Sequence, residues 1–241
     1  MLTRNEIKLI ASLGQKKQRL KHRLFTVEGK KTVAEFLKSH FKLHHLYAIS
    51  DDYNCPHEKF SLVTEAELKK ISALTTPQQV VAVFEIPLAG NVVDDKLILA
   101  LDAVRDPGNL GTIIRLCDWF GIAHLVCSET TVDCYNPKVV QATMGSLTRV
   151  NVSYLDLEAF LKTTTVQKFG AFMDGENIYD SMLPKEGVLI MGNEANGIST
   201  EIEALIENRL GIPHFSTHQE TESLNVATAT AILLSEFKRR H

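Results

Sequence analysis

LILALDAVRDPGNLGTIIRLCDWF, residues 97–120, decides the fold. Its first five residues form a short apolar run stopped by Asp102, the length of a buried strand. A polar, glycine-rich loop follows over 102–111. Beyond it Ile113, Leu116, Cys117 and Phe120 recur at helical spacing, which predicts a helix over 112–120. The same alternation continues to the C-terminus. Further strands are predicted over 124–127, 150–154, 169–173, 188–191 and 209–212, and helices over 138–146, 155–161, 200–207 and 223–240. Strands alternating with helices predict an α/β fold with a mostly parallel sheet covered on both faces.

Upstream, the segment 87–96 (PLAGNVVDDK) breaks the periodicity with Pro, Gly, Asn and Asp, and marks the expected boundary between domains over 1–90 and 97–241. In the first part, helices are predicted over 5–13 and 31–39, and a third runs from the capping box Thr64–x–x–Glu67 to Ile71. Strands are predicted over 24–28, 45–50 and 80–86.

Composition narrows the class. The chain has 241 residues, 44% hydrophobic and 23% charged, which fits a folded globular protein. No apolar run approaches the ~20 residues needed to span a bilayer. The N-terminus lacks the apolar core of a signal peptide. The four cysteines (55, 117, 127 and 134) form no C-x-x-C; reduced thiols in the cytoplasm are expected, and no metal site. Residues 1–45 hold eleven Lys/Arg against three Glu, a balance of +8 that leaves −11 on the other 196 residues. The cations are densest in QKKQRLKHR (15–23), which suits either a polyanion backbone or a solvated helix face.

In an open α/β sheet, ligands bind beyond the carboxyl ends of the strands, so the loops there carry the chemistry. Three are unusual. The loop 102–111 is not G-x-G-x-x-G, and G-x-x-x-x-G-K-[ST] occurs nowhere, so a nicotinamide dehydrogenase or a P-loop ATPase lacks its fingerprint. Arg115, one turn into the helix and off its apolar stripe, either holds an anion or pairs with Asp118 or another acid. The second loop, GNEANGIS (192–199), has two glycines that let backbone approach a ligand, with Glu194 between them; it also suits an ordinary turn into a helix cap. The third runs from Ile212-Pro213 to SLNVA (223–227), where Ser223 and Asn225 suit either caps or a polar-group site. Trp119, between Asp118 and Phe120, is expected to pack rather than to stack on bases.

In order, the three loops resemble the three motifs of the SpoU/TrmH class of SPOUT methyltransferases. The residues that carry the resemblance are LDAVRDPGNLGTIIR (101–115), IMGNEANGIS (190–199), and Ile212-Pro213 with SLNVA (223–227). Asn136-Pro137-Lys138 with ATMGS (142–146) also resembles the segment between the first two motifs. Arg23, Leu24, Phe25, Val27, Glu28, Gly29 and Val33 resemble the small RNA-binding α/β sandwich often attached to this family.

The resemblance implies methyl transfer from S-adenosylmethionine to a ribose 2′-hydroxyl of structured RNA, ribosomal or transfer. It also implies a C-terminal trefoil knot and a homodimer. Carried over position by position, it assigns the catalytic set to Arg115, Asn109, Glu194, Ser223 and Asn225. Cofactor contacts fall to Met191, Gly192, Ile212, Pro213, Leu224 and Asn225. Arg115 would clamp the RNA phosphate, Asn109 would hold Arg115 or the nucleotide, and Glu194 would order the second loop. One departure is a loop of nine residues, HFSTHQETE (214–222), longer than the family's and lacking its usual Met and Gly. The competing readings are a non-catalytic RNA-binding protein that keeps the fold, and a nicotinamide oxidoreductase on a similar sheet.

Overall fold

The apolar runs assemble into two sheets. A computed structural model describes residues 2–88, 90, 92, 96–216 and 223–239. In chain order it runs α1 (Arg4–Ser12), α2 (Lys16–His22), β1 (Leu24–Glu28), α3 (Lys30–Leu37), β2 (Leu43–Ala48), β3 (Phe60–Leu62), α4 (Glu65–Ile71) and β4 (Val80–Glu85). It continues with β5 (Leu97–Leu101), α5 (Pro107–Phe120), β6 (His124–Ser128), α6 (Pro137–Thr143), β7 (Asn151–Leu155) and α7 (Leu157–Thr163). The last elements are β8 (Lys168–Asn177), β9 (Gly187–Met191), α8 (Thr200–Glu203), β10 (Asn208–Gly211) and α9 (Val226–Arg239). Two compact units result: Met1–Leu88 with Asp133–Thr148, and Ala89–Val132 with Arg149–His241. Part of the expected linker, residues 89, 91 and 93–95, lies outside the described residues.

The first unit is built on a four-stranded sheet ordered β1-β4-β2-β3. β4 runs antiparallel to β1 and β2, and β3 parallel to β2. Phe25, Phe36, Phe41 and Phe84 are buried together. Tyr135, from the second stretch of this unit, joins them with its ring 4.7 Å from that of Phe25. Burial pushes the Tyr135 phenol well above its usual range.

The basic segment forms helix α2, with its polarity inverted: Arg19 is 1% exposed and Leu20 62%. Arg19 Nε donates to Asp133 Oδ2 at 2.9 Å, and Nη1 donates to the carbonyls of Leu13 (2.8 Å) and Gly14 (3.0 Å). One of the cations counted as available for a polyanion is therefore structural. Period-based reading misses this helix because its buried residue is not apolar. It also misses β3, only three residues long.

The second unit holds six strands, all parallel, ordered β10-β8-β9-β5-β6-β7. β5 and β9 are buried at every position, as their unbroken apolar runs require. From β5 the chain steps to β6 and β7 on one side, then returns to fill the other. The strand order therefore reverses between β5 and β9, where α/β sheets open a crevice. Asp106 caps α5, Pro107 occupies its first turn, and Gly121 ends it in the left-handed region. α9 packs against α5. β10 pairs with β8 at Phe169 and Gly170 and then at Glu176 and Asn177, so 171–175 stand outside the ladder.

Several boundaries differ from expectation. α5 begins at Pro107 rather than 112, because the Asp106 cap lies inside the loop. The helix expected over 138–146 stops at Thr143, where Met144 turns left-handed at φ 50°. α8 ends at Glu203, and α9 starts only after Asn225.

Removing one partner of the Arg19–Asp133 pair leaves a buried, uncompensated charge, which costs about 3–5 kcal/mol. Asp133→Ala is expected to lower unfolding stability by that order in urea titrations of the full chain, and the double change Arg19→Met/Asp133→Leu to recover most of it. A loss within ~0.5 kcal/mol would contradict a structural role for the pair.

Candidate active site

The first two motif loops leave the sheet side by side. Leu101 pairs with Met191 across β5 and β9, and the Asp102 amide donates to the Met191 carbonyl at 2.9 Å. The Asp102 carboxylate is buried, 6% exposed, and its Oδ2 accepts from the Ser199 amide and hydroxyl, both at 2.7 Å. Asn193 Nδ2 donates to the Ala103 carbonyl (2.7 Å), while its Oδ1 accepts from the amides of Ala195 and Asn196. Backbone bonds between Asn193 and Gly197 close the loop. A Cβ on Gly192 would lie 2.3 Å from the Gly197 backbone, so only glycine fits there. Ala103 sits at φ 57°, a conformation that costs a non-glycine residue about 1–2 kcal/mol. The hydrogen bonds around it hold that strain at the mouth of the crevice.

A hydrogen-bond relay then ties all three motifs. Asn225 Oδ1 caps α9, accepting from the amides of Ala227 (3.0 Å) and Thr228 (3.2 Å). That leaves its Nδ2 to donate, and it does so to Asn109 Oδ1 at 2.9 Å. Asn109 Nδ2 must donate in turn, and its acceptor is Glu194 Oε1 at 2.9 Å. A carboxylate accepts only, so it is a proper end to the chain. Asn109 therefore bonds the other two loops, not Arg115. Glu194 orders its surroundings as an acceptor, with the Arg105 amide (3.5 Å) and Asn193 Nδ2 (3.4 Å) at its second oxygen.

Beside the relay lies a cavity of about 830 Å³, within the ~300–1,000 Å³ range of small-molecule sites. Met191, Gly192, Ile212, Pro213 and Leu224 line it, with Glu194 and Ser223 among the polar groups. Arg115, Asn109 and Asn225 are not in its lining. The far wall comes from the part of β8 that left the ladder, Ala171, Phe172 and Met173. Arg209 lies 3.6 Å above the Phe172 ring and is held by Asp174 (2.7 Å) and Glu203. That pairing raises the Arg209 guanidinium and lowers the Asp174 carboxyl from their ordinary values. A Cβ on Gly175 would lie 2.4 Å from the Leu210 backbone, so two chain segments touch behind the cavity. In α5, burial pushes the Cys117 thiol far up, which makes it inert.

Arg115 is exposed on α5 and makes no ion pair among the described residues. Asp118, its expected alternative partner, is instead gripped by Arg149, whose Nε lies 3.0 Å from both carboxylate oxygens. Trp119 does not pack as expected: it is 84% exposed. Of the long loop, residues 217–222 lie outside the described residues, and His214 and Phe215 line the cavity. The sequence reading passed over Asp102, Asn193 and Ser199 as site residues. The signal for Asp102 was an acid directly after a buried apolar strand, where only a functional or loop-fixing role offsets its burial.

Comparison with known proteins places this geometry. Residues 96–235 match the SpoU rRNA Methylase family, and residues 4–82 match the MRM3-like substrate binding domain. The 23S rRNA (guanosine(2553)-2′-O)-methyltransferase RlmP of Bacillus subtilis is 31% identical over 231 residues, covering 92% of this chain and 91% of its own. A solved structure from Porphyromonas gingivalis, assigned to the TrmH family of RNA methyltransferases, is 41% identical with a TM-score of 0.92 over 100% of both chains. The AdoMet-bound rRNA methyltransferase of Sinorhizobium meliloti is 30% identical with a TM-score of 0.87, over 100% of this chain and 96% of its own.

Hydrogen bonds to a charged group contribute about 1.5–3 kcal/mol. Asp102→Ala is therefore expected to speed exchange of the Ser199 amide proton roughly 10- to 100-fold, read by hydrogen–deuterium exchange with mass spectrometry. An unchanged rate would show that Asp102 does not hold the second loop.

Proposed function

The chain belongs to the SpoU rRNA methylase family and transfers methyl groups from S-adenosylmethionine to ribose 2′-hydroxyls of ribosomal RNA; on that premise we propose how its own residues perform the transfer. The observation that carries the proposal is the relay Asn225–Asn109–Glu194, which joins the three motif loops beside one cavity. Met191, Gly192, Ile212, Pro213 and Leu224 would hold the cofactor, through apolar contact and the backbone that Gly192 exposes. Bound there, S-adenosylmethionine supplies a methyl group already activated by its sulfonium.

The protein's share is alignment and proton handling. A ribose hydroxyl is a poor nucleophile until its proton leaves. An arginine side chain is protonated throughout the working range, which makes it a poor general base. Arg115, exposed and without an acid partner among the described residues, is suited to grip an RNA phosphate bidentately. The phosphate so positioned orients the hydroxyl and helps its proton pass to solvent as the oxygen–methyl bond forms and the methyl–sulfur bond breaks. Ser223 positions the nucleotide from the cavity edge. Asn109, Glu194 and Asn225 act by holding the loops, and Asn225 also caps the start of α9, whose Val226, Ala229 and Leu233 line the cavity.

The exposed cations of α2 supply phosphate contacts. We read the chain as a cytoplasmic homodimer with a trefoil knot around the cavity. Family resemblance supports the dimer and the knot.

Arg115→Ala is expected to cut methyl transfer to unmodified ribosomal RNA at least 100-fold while calorimetric S-adenosylmethionine affinity stays within about twofold. Retained transfer would remove Arg115 from the reaction. Absence of cofactor binding by the unaltered chain, with or without RNA, would instead favour an RNA-binding protein that kept only the fold. The logarithm of RNA affinity is expected to fall linearly with the logarithm of salt concentration; a flat dependence would contradict the phosphate grip.

A further inference from the structure

α5 carries an aromatic ring that no described contact explains. Trp119 is 84% exposed on a helix whose opposite face is fully buried through Leu110, Ile113, Ile114 and Cys117. A large apolar ring left in water at the end of a well-packed helix is an unspent binding surface. Its neighbours give its chemistry. Arg115 lies four residues earlier, one helical turn away on the same exposed stripe. Thr112 continues that stripe toward the motif loops. Asp118, the acid beside the ring, is neutralised by Arg149 on both of its oxygens. The ring therefore stands next to a cation that has no ion pair among the described residues, with the adjoining negative charge already paired.

We propose that Trp119 is a stacking platform for an unpaired base of the RNA, next to the nucleotide whose phosphate Arg115 holds. The proposal rests on the reading of Arg115 as the phosphate clamp. Aromatic rings next to cations are the usual means by which proteins hold unpaired bases, since every base offers a π-face and the cation takes the phosphate. A lone ring in a polar stripe suits a base better than a second copy of the chain. A stable subunit contact needs about 800 Å² per partner with an apolar centre, and α5 shows no other exposed large hydrophobic residue among those described. The substrate class narrows accordingly. The target lies in a loop, bulge or strand end where a flanking base is free to leave its stack, and not within a continuous duplex.

Trp119 is the single tryptophan of the chain, so intrinsic fluorescence of the unaltered protein reports on this ring alone. Titration with an unmodified large-subunit ribosomal RNA transcript is expected to quench that emission, with a midpoint that matches binding followed separately by anisotropy of end-labelled RNA. Trp119→Ala is expected to weaken RNA binding about tenfold. Trp119→Phe is expected to restore most of that loss, and S-adenosylmethionine affinity and sedimentation to be unchanged in both variants. RNA binding without quenching, or with full affinity in Trp119→Ala, overturns the stacking role. A blue-shifted emission in the free protein, with a sedimentation change in Trp119→Ala, overturns it in favour of a subunit contact. No RNA binding by anisotropy contradicts the functional reading itself, and the stacking role with it.

Discussion

Two side-chain amides and a carboxylate hold the site together. Asn225 spends its oxygen on capping α9, which forces its nitrogen toward Asn109, and the remaining amide nitrogen of Asn109 then needs an acceptor at Glu194. Each member fixes the donor or acceptor sense of the next. The relay spans residues 116 positions apart in sequence at one step and 85 at the other. Three loops that no local propensity would bring together thereby share one orientation. The catalytic reading depends on this, because a transfer that needs oxygen, methyl carbon and sulfur in line tolerates little movement of the loops that hold them.

The rest of the second unit serves that junction. The reversal of strand order between β5 and β9 opens the crevice, and the Leu101–Met191 pairing sets two loops at the same height. Asp102 and Asn193 then fasten the second loop to the first, against the strain at Ala103. The slip of β8 against β10 turns a strand into a wall, and Arg209 braces it through Phe172. The cavity is walled largely by backbone and apolar groups, which explains why its motifs are rich in glycine and aliphatic residues rather than in titratable ones.

Much of this was legible in the sequence, and the parts that were not share a cause. β5 was readable to the residue because a strand buried on both faces shows an unbroken apolar run. Gly192, Ile212 and Leu224 were placed by their motifs, and all three line the cavity. The helix α2 was hidden because Arg19, which fills its buried position, completes a pair with Asp133, 114 residues away. The same pair, with Tyr135 on Phe25, draws Asp133–Thr148 into the first unit, a link invisible to any window of local periodicity. Trp119 is expected to pack on the general burial of tryptophan, although the stripe Ile113, Leu116, Cys117 and Phe120 already leaves it on the other side of the helix, where it is exposed. The family resemblance assigns Asn109 to Arg115 or the nucleotide, and it does not show that both protein partners of its side chain come from distant loops.

The most direct test is the chemistry of the transferred group. The protein should be incubated with S-adenosylmethionine labelled in its methyl group and unmodified large-subunit ribosomal RNA, and the RNA then digested to nucleosides for mass spectrometry. The account predicts label in a single 2′-O-methylated nucleoside. Label on a base, or no label in RNA that the protein demonstrably binds together with the cofactor, would contradict it.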